Sequence, residues 1–401
     1  MREPRTDACS DVVIAGAGPA GAAAAITLAH HGASVIVVDP SSTRPWKPGE
    51  SLVSRAGPLL RRLGVLDAVA TGPHTPCFGN QSIWGGETLD EVDFLFSPYG
   101  TGWHLDRAHF DQTLVDTARL AGARLRTGRI RSVRRVGAHW QLSLDHGGVR
   151  ARYLVEATGA GARLARQAGA TVVKADRMVA LTARLPYDAS GHGLPRTSLV
   201  ESAPFGWWYS APLPAGSYFV MAVTDADLVA GQALHQPDGW WRALQETTLV
   251  RRRLHHAAVA PPSGLRVVRA ATSCVGPAAA PGWAAVGDAA TASDPIAVRG
   301  IVTALATGIA AADAVHADAA GDPTALSAYA ELVEASHNEF LRGRRICYGR
   351  ERRWNTPFWS RRHSEMPAPG SEPRHGRQTA DYSKHPADSA KRAPADRPWN
   401  T

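Results

Sequence analysis

The chain lacks the signatures of several large protein classes. No run of 18 apolar residues occurs in it, so no membrane-spanning segment is expected. Residues 1–10 are polar and carry no apolar leader stretch, which predicts a cytoplasmic protein. There are only four cysteines, Cys9, Cys77, Cys274 and Cys347, and none stands at a metal or redox spacing. Reduced thiols and no metal centre follow. No internal repeat and no nucleic-acid module is visible. Lysine is missing altogether between Lys47 and Lys174. Excess charge is missing from most of the chain too: residues 1–340 hold 30 Lys/Arg and 30 Asp/Glu. The formal net charge of +8 therefore comes from the end, where residues 341–360 hold six Arg against Glu351 and residues 361–401 hold eight Lys/Arg against five acids. This predicts a solvated basic helix end and tail; the alternative is a docking patch for an acidic partner.

What is present is a core-forming composition, 44% apolar over 401 residues, enough for two or three domains. The most informative stretch is 12–39. An apolar run, Val12-Val13-Ile14-Ala15, meets Gly16-Ala17-Gly18-Pro19-Ala20-Gly21 and then an Ala-rich segment. This spacing predicts a buried strand turning into a helix. Gly16 permits the turn, Gly18 lets a pyrophosphate approach the backbone, and Gly21 lets helix and strand pack closely. The helix start, with Ala20, offers free N–H groups to phosphates. Gly32 reads as the residue that ends the helix. A second apolar run ends in Asp39, an acid placed for an adenosine ribose.

After Asp39 comes a Pro- and Gly-rich loop through Ser51, then one helix over about 52–69. Residues 91–96 alternate like a half-buried strand. A helix is predicted over 107–120. Strands follow over 124–156, with Asp145-His146-Gly147-Gly148 as a hairpin turn. Residues 177–224 read as an antiparallel sheet and 226–256 as helical. The apolar run 283–286 then leads to Gly287-Asp288, with helices over about 299–316 and 323–353. The predicted fold is α/β: a discontinuous Rossmann-type domain over 10–70, 103–165 and 265–320, with an antiparallel β substrate domain over 71–102 and 170–264. A C-terminal helical segment spans 321–358, and composition predicts a disordered tail over 359–401.

Gly16-x-Gly18-x-x-Gly21, Asp39 and Gly287-Asp288 together resemble the FAD domain of flavoprotein monooxygenases. The resemblance implies that Asp288 binds the flavin ribityl chain and that Arg107 lies along the FAD. It also implies that Asp294-Pro295-x-x-x-x-Gly300 passes the flavin ring. A helix starting near Gly300 would stabilise negative charge on the reduced ring. A narrower resemblance rests on Pro48-Gly49-Glu50-Ser51-Leu52, Trp84-Gly85-Gly86, Asp93-Phe94, Pro98-Tyr99-Gly100 and Gly102-Trp103-His104-Leu105-Asp106-Arg107. These are similar to the tryptophan-halogenase-like branch. Within it they look most like the FAD-dependent maturases of lysine ε-oxidase and glycine oxidase, which help convert Trp and Cys of a partner protein into cysteine tryptophylquinone.

Halogenases of this branch carry Trp-x-Trp-x-Ile-Pro and a lysine after the Gly-Glu-Ser segment. Here Trp207-Trp208-Tyr209-Ser210-Ala211-Pro212 departs at two of the four defined positions, and that lysine is missing, which disfavours halogenation. The resemblance thus implies FAD-dependent oxygenation of an aromatic ring, a Trp side chain of an amino-acid oxidase precursor. The alternatives are a monooxygenase of a free small aromatic and a non-catalytic flavin-binding chaperone. No second dinucleotide motif is present, so transient NAD(P)H and an external flavin reductase both stay open as donors. The candidate catalytic residues are Glu50, Trp84, His104 and Pro295. For Glu50 the other reading is an exposed loop acid. For Trp84, Trp103, Trp207 and Tyr209 it is core packing, and for His104 a structural role.

Overall fold

The computed structural model describes residues 8–43, 46–187, 194–256 and 260–364. The chain opens with β1 (Ala8–Ala15), α1 (Pro19–His30) and β2 (Val35–Asp39). Val12 to Ala15 are wholly buried because helices and sheet cover both faces of β1. Pro19 sits in the first turn of α1, where its missing N–H removes no bond. Gly32 follows the helix at φ 85°.

β3 (Ser51–Leu52), α2 (Gly57–Arg62) and α3 (Leu66–Thr71) come next. The single helix expected over 52–69 is broken, with Gly64 at φ 71° between its halves. Then come β4 (Thr75–Cys77), β5 (Gly79–Ile83), β6 (Leu89–Asp93) and β7 (Gly102–His104). The half-buried strand expected over 91–96 is corrected. Every residue of β6 is exposed, and Phe94–Phe96 forms a 3-10 turn whose Leu95 N–H donates to Asp93 Oδ1 at 2.8 Å.

α4 (Arg107–Leu120) is N-capped by Asp106 and leads to β8 (Arg124–Thr127), β9 (Ile130–Val136), β10 (His139–Leu144) and β11 (Gly148–Glu156). α5 (Arg163–Gln167) and β12 (Thr171–Lys174) follow. β13 (Met178–Pro186), β14 (Thr197–Ala203), β15 (Gly206–Leu213) and β16 (Ser217–Asp225) build the second sheet, with α6 (Pro237–Gln245), α7 (Leu249–His256) and β17 (Arg266–Arg269). The chain returns through β18 (Ser273–Gly276), β19 (Ala279–Ala280), β20 (Trp283–Ala285) and β21 (Thr291–Ala292). It closes with α8 (Gly300–Ala319), α9 (Ala325–Arg350) and α10 (Pro357–Ser364).

In the first sheet β20, β11, β1, β2 and β8 run parallel in that order, with β10 and β9 continuing antiparallel from β11. Segments far apart in sequence thus share one sheet. The second sheet has the order β17-β13-β16-β15-β14-β5-β6 and is antiparallel except between β14 and β5. α8 is long and apolar enough to cross a membrane by length and composition, although polar residues interrupt its apolar run. It packs between α1 and α9 as a core helix.

The tail expected from 359 begins later. Phe358 and Trp359 are fully buried, and Trp359 packs on Trp84 and Tyr348 with ring centroids 5.3 and 5.8 Å away. The expectation for 365–401 falls outside the described residues. The solvated basic end is also corrected in part. Arg344 meets Asp176 at 2.8 Å and Asp294 at 3.1 Å, Arg362 meets Asp225 at 2.7 Å, and Arg353 meets Glu351 at 2.6 Å. Burial forces Arg344 and Arg362 to take acidic partners inside the chain. Trp359→Ala should lower unfolding stability by about 3–5 kcal/mol, the cost of emptying a large buried site. Urea unfolding measures it, and a loss below about 1 kcal/mol would mean that α10 does not pack.

Candidate functional site

A cavity of about 760 Å3 opens at the carboxyl ends of β1, β2, β11 and β20 and reaches the second sheet. This crevice is where open α/β sheets bind ligands. Three glycines shape its first wall. Gly16 has φ 108°, and a Cβ there would lie 2.4 Å from Ala157 O. A Cβ on Gly21 would lie 2.0 Å from Gly16 O, so Gly21 faces the turn and not the cavity. A Cβ on Gly18 would meet nothing within 4 Å, and Gly18 and Ala20 line the cavity. At the end of β2, Asp39 Oδ2 accepts from Ala17 N at 2.7 Å and Oδ1 from Ser41 N at 3.0 Å, which holds its carboxylate beside the turn.

Arg107, the first residue of α4, is buried yet reaches the cavity. It donates to Pro48 O at 2.8 Å and Gly49 O at 3.1 Å, and to the Asp111 carboxylate one turn on. Gly49 has φ 108°, and a Cβ there would press on the Arg107 guanidinium at 2.6 Å. The arginine therefore clamps the loop that carries Glu50. Glu50 is a buried cavity residue, not an exposed loop acid. Its Oε2 accepts from Gly49 N at 3.0 Å, and its Oε1 is buried without a partner among the described residues. Burial pushes its carboxyl up to about 7.

Beside it, Tyr209 Oη lies 2.5 Å from Ser51 Oγ, and Ser51 Oγ lies 3.2 Å from His104 Nδ1. Burial, helped by nearby Glu50, holds the Tyr209 hydroxyl far above its usual range, so it stays protonated. On the opposite side, Gly287, Asp288, Pro295 and Gly300 all line the cavity. The cavity walls push the Asp288 carboxyl up, opposed by Arg107. Gly300 starts α8, so free backbone N–H groups and the positive helix end meet the cavity there.

Two expected catalytic residues lie elsewhere. Trp84 packs edge-on against Tyr348, and its Nε1 donates to Cys347 O at 2.7 Å; it does not line the cavity. Its place behind the second sheet follows from α9, which that stretch of sequence does not reveal. His104 is fully buried behind Ser51, and burial lowers it to about 3, so it stays neutral and does not exchange protons near pH 7. Trp207 is likewise buried and donates to Tyr348 Oη at 2.9 Å. Trp103 also lies off the cavity, whereas Tyr209 is on it. Lys47 lines the cavity just before Glu50. Glu156 carried no local signal, yet it organises the cavity loop 157–160: its Oε1 accepts from Thr158 N at 3.1 Å and its Oε2 from Ala165 N at 2.9 Å.

These residues fit an FAD. Gly18 leaves open space for phosphates, the Glu50 Oε1 acceptor has no donor among the described residues, and the α8 terminus at Gly300 lines the same cavity. A family model described as an FAD binding domain matches residues 9–306. The chain belongs to this FAD-binding family. It is an FAD-dependent oxidoreductase of the flavin monooxygenase and halogenase-like superfamily. It is 27% identical over 365 residues to the protein LodB of Marinomonas mediterranea, covering 88% of this chain and 97% of that protein. It is 26% identical to a tryptophan 2-halogenase of Chondromyces crocatus, covering 87% of this chain and 70% of the other. The structure of the peptidyl tryptophan dihydroxylase QhpG, essential for tryptophylquinone cofactor biogenesis, superposes with a TM-score of 0.72 at 28% identity. That match covers 92% of this chain and 81% of QhpG.

Gly18→Glu should leave the fold intact, since nothing crowds the position, but place a carboxylate where phosphate must pass; Asp288→Ala should remove a cavity anchor. Both proteins are expected to purify folded and colourless, and wild-type flavin absorbance in either would overturn the assignment. Glu50 gives a pH test. Burial raises its folded carboxyl from the ordinary 4.5 to about 7, so the folded state holds the proton more tightly. Its contribution to stability is present below pH 4.5 and is lost as pH rises through about 7. Relative to wild type, Glu50→Gln should therefore gain about 2–3 kcal/mol between pH 5 and pH 8. An equal difference at the two pH values would show that Glu50 is not desolvated.

Proposed function

We propose that the protein is a monooxygenase that hydroxylates a tryptophan side chain in a partner polypeptide, a precursor of an amino-acid oxidase. The observation that carries this reading is the 28% identity to a peptidyl tryptophan dihydroxylase across 92% of this chain. The geometry supports it: one cavity joins the FAD crevice to the loop that carries Glu50 and to a wall of the second sheet bearing Tyr209. Bound FAD, once reduced by NAD(P)H or by a separate reductase, supplies the activation of dioxygen.

The chain's own residues do the rest. The glycine turn, Asp39 and Asp288 hold the cofactor. The α8 terminus favours negative charge at its face of the cavity. Ala180, Met221 and Val268 give the second-sheet wall apolar surface that displaces water from an indole. As one oxygen atom replaces a ring hydrogen and the other leaves as water, the ring must release a proton. Glu50 Oε1 is the buried acceptor, and a carboxyl near 7 is matched to that task. Tyr209, held by Ser51, donates a hydrogen bond or positions the ring.

Halogenation is the second reading, favoured by the tryptophan 2-halogenase relative. Against it stand the absence of lysine over 48–173 and the altered 207–212 motif, although Lys47 does line the cavity. Mass spectrometry of a Trp-bearing oxidase precursor after co-expression decides between them. A gain of one or two oxygen atoms on a Trp peptide, lost with Asp288→Ala, is expected. A bromide- or chloride-bearing product, or turnover of a free small aromatic only, would overturn the reading.

A further inference from the structure

Exposed apolar side chains gather in one hairpin. Val92, Leu95 and Phe96 are 61%, 78% and 85% exposed, and Leu89 and Tyr99 join them. The exposure is built into the structure. Phe94 is buried against Gly102, where a Cβ would lie 3.2 Å from its ring. The Asp93 carboxylate caps the 3-10 turn, and Ser97 Oγ bonds Ser54 Oγ at 2.8 Å. Anchored at both ends, the turn holds Leu95 and Phe96 outward.

The same hairpin has a distinctive charge. Residues 63–106 contain six carboxylates and no Lys or Arg, in a chain whose net charge is +8. Four of the six, Glu87, Asp90, Glu91 and Asp93, stand on or beside β6. Asp90 is shared with Arg350 at 3.5 Å, and Glu91 accepts from Gln81. β6 is also the end of the seven-stranded sheet, and among the described residues it pairs only with β5. An open edge with unpaired backbone groups takes up an added strand. Acids along it would face acids if a second copy paired edge to edge, so charge disfavours self-pairing and selects a cationic strand.

We propose that β6 and the turn after it dock an extended segment of the partner polypeptide, one that alternates cationic and apolar residues and adds to the sheet as an eighth strand. The inference rests on the reading that the substrate is a polypeptide. The apolar residues of the segment cover Val92, Leu95 and Phe96, and its Lys or Arg meet the edge carboxylates. The dock is joined to the active cavity through the backbone: β7 follows the turn and pairs with β3, placing His104 opposite Ser51, next to Glu50.

Two fluorescein-labelled peptides test the inference with the flavin-loaded protein. One alternates Lys and Val around a single Trp; the other carries Glu in place of Lys. Fluorescence anisotropy should show binding of the Lys peptide that weakens with salt. Glu87→Lys/Glu91→Lys and Leu95→Ser/Phe96→Ser should each weaken it about tenfold, with flavin absorbance and melting temperature unchanged. Failure of the Lys peptide to bind, equal binding of the Glu peptide, or indifference to both double variants would overturn the dock. So would a concentration-dependent dimer that Leu95→Ser/Phe96→Ser abolishes, because the patch would then belong to a second copy. Mass spectrometry of the same mixtures separates this inference from the proposed function. Edge-dependent binding with no oxygen on the peptide Trp leaves the dock standing and counts against the function. Oxygenation that ignores the edge variants leaves the function standing and overturns the dock.

Discussion

Everything about the cavity depends on how closely α1 can approach its neighbours. At Ala20 three backbones converge. A Cβ on Gly308 would lie 2.3 Å from Ala20 O, and one on Gly287 would lie 2.8 Å from Ala20 Cβ. Side chains at these positions would push α8 and the Gly287 turn off α1. The contact joins Ala20 to residues 267 and 288 positions further along the chain, and the crevice depends on it. The Ala-rich surface of α1 serves the same end, since small side chains let α8 lie flat on it.

The second constraint is electrostatic. Arg107 and Asp111 are both buried, and such a pair is tolerated because its remaining donors are satisfied, here by Pro48 O and Gly49 O. The clamp fixes the loop that presents Glu50. Desolvation then acts in opposite senses on two neighbours: it raises the Glu50 carboxyl to about 7 and lowers His104 to about 3. Near neutral pH Glu50 can exchange a proton and His104 cannot. The usual preference for histidine in that role is reversed chiefly by burial, with Arg253 adding to the effect on His104.

A third region binds the C-terminal helices to the second sheet. Trp84, Tyr348, Phe358 and Trp359 interlock at ring distances of 5.2–6.1 Å. Arg344 and Arg362 stack on Tyr348 while pairing with Asp294 and Asp225. Asp294 directly precedes the cavity residue Pro295, and Tyr348 Oη donates to its Oδ2 at 2.8 Å. The wall of the cavity is thus braced from behind by residues that composition alone assigned to a basic, solvated end.

The sequence by itself determined the strand–turn–helix at 12–39, the second cofactor strand at 283–288 and the α8 start at Gly300. These are local features: apolar period, glycine spacing and a terminal acid are all written in adjacent residues. For Glu50 it left a cavity role and an exposed loop acid both open, and only the fold places that side chain inside the cavity. The sequence did not reveal which aromatics face the cavity. Trp207 and Tyr209 share one strand face by alternation, yet α9 covers the first and leaves the second open. Nor did it reveal that Trp84 and His104 are core residues, that residues 357–364 fold back as a helix, or that Glu156 shapes the 157–160 loop. Each of those outcomes is set by burial against elements tens to hundreds of residues away. Burial decides which charges need partners and which protons can move, and only the tertiary structure determines burial.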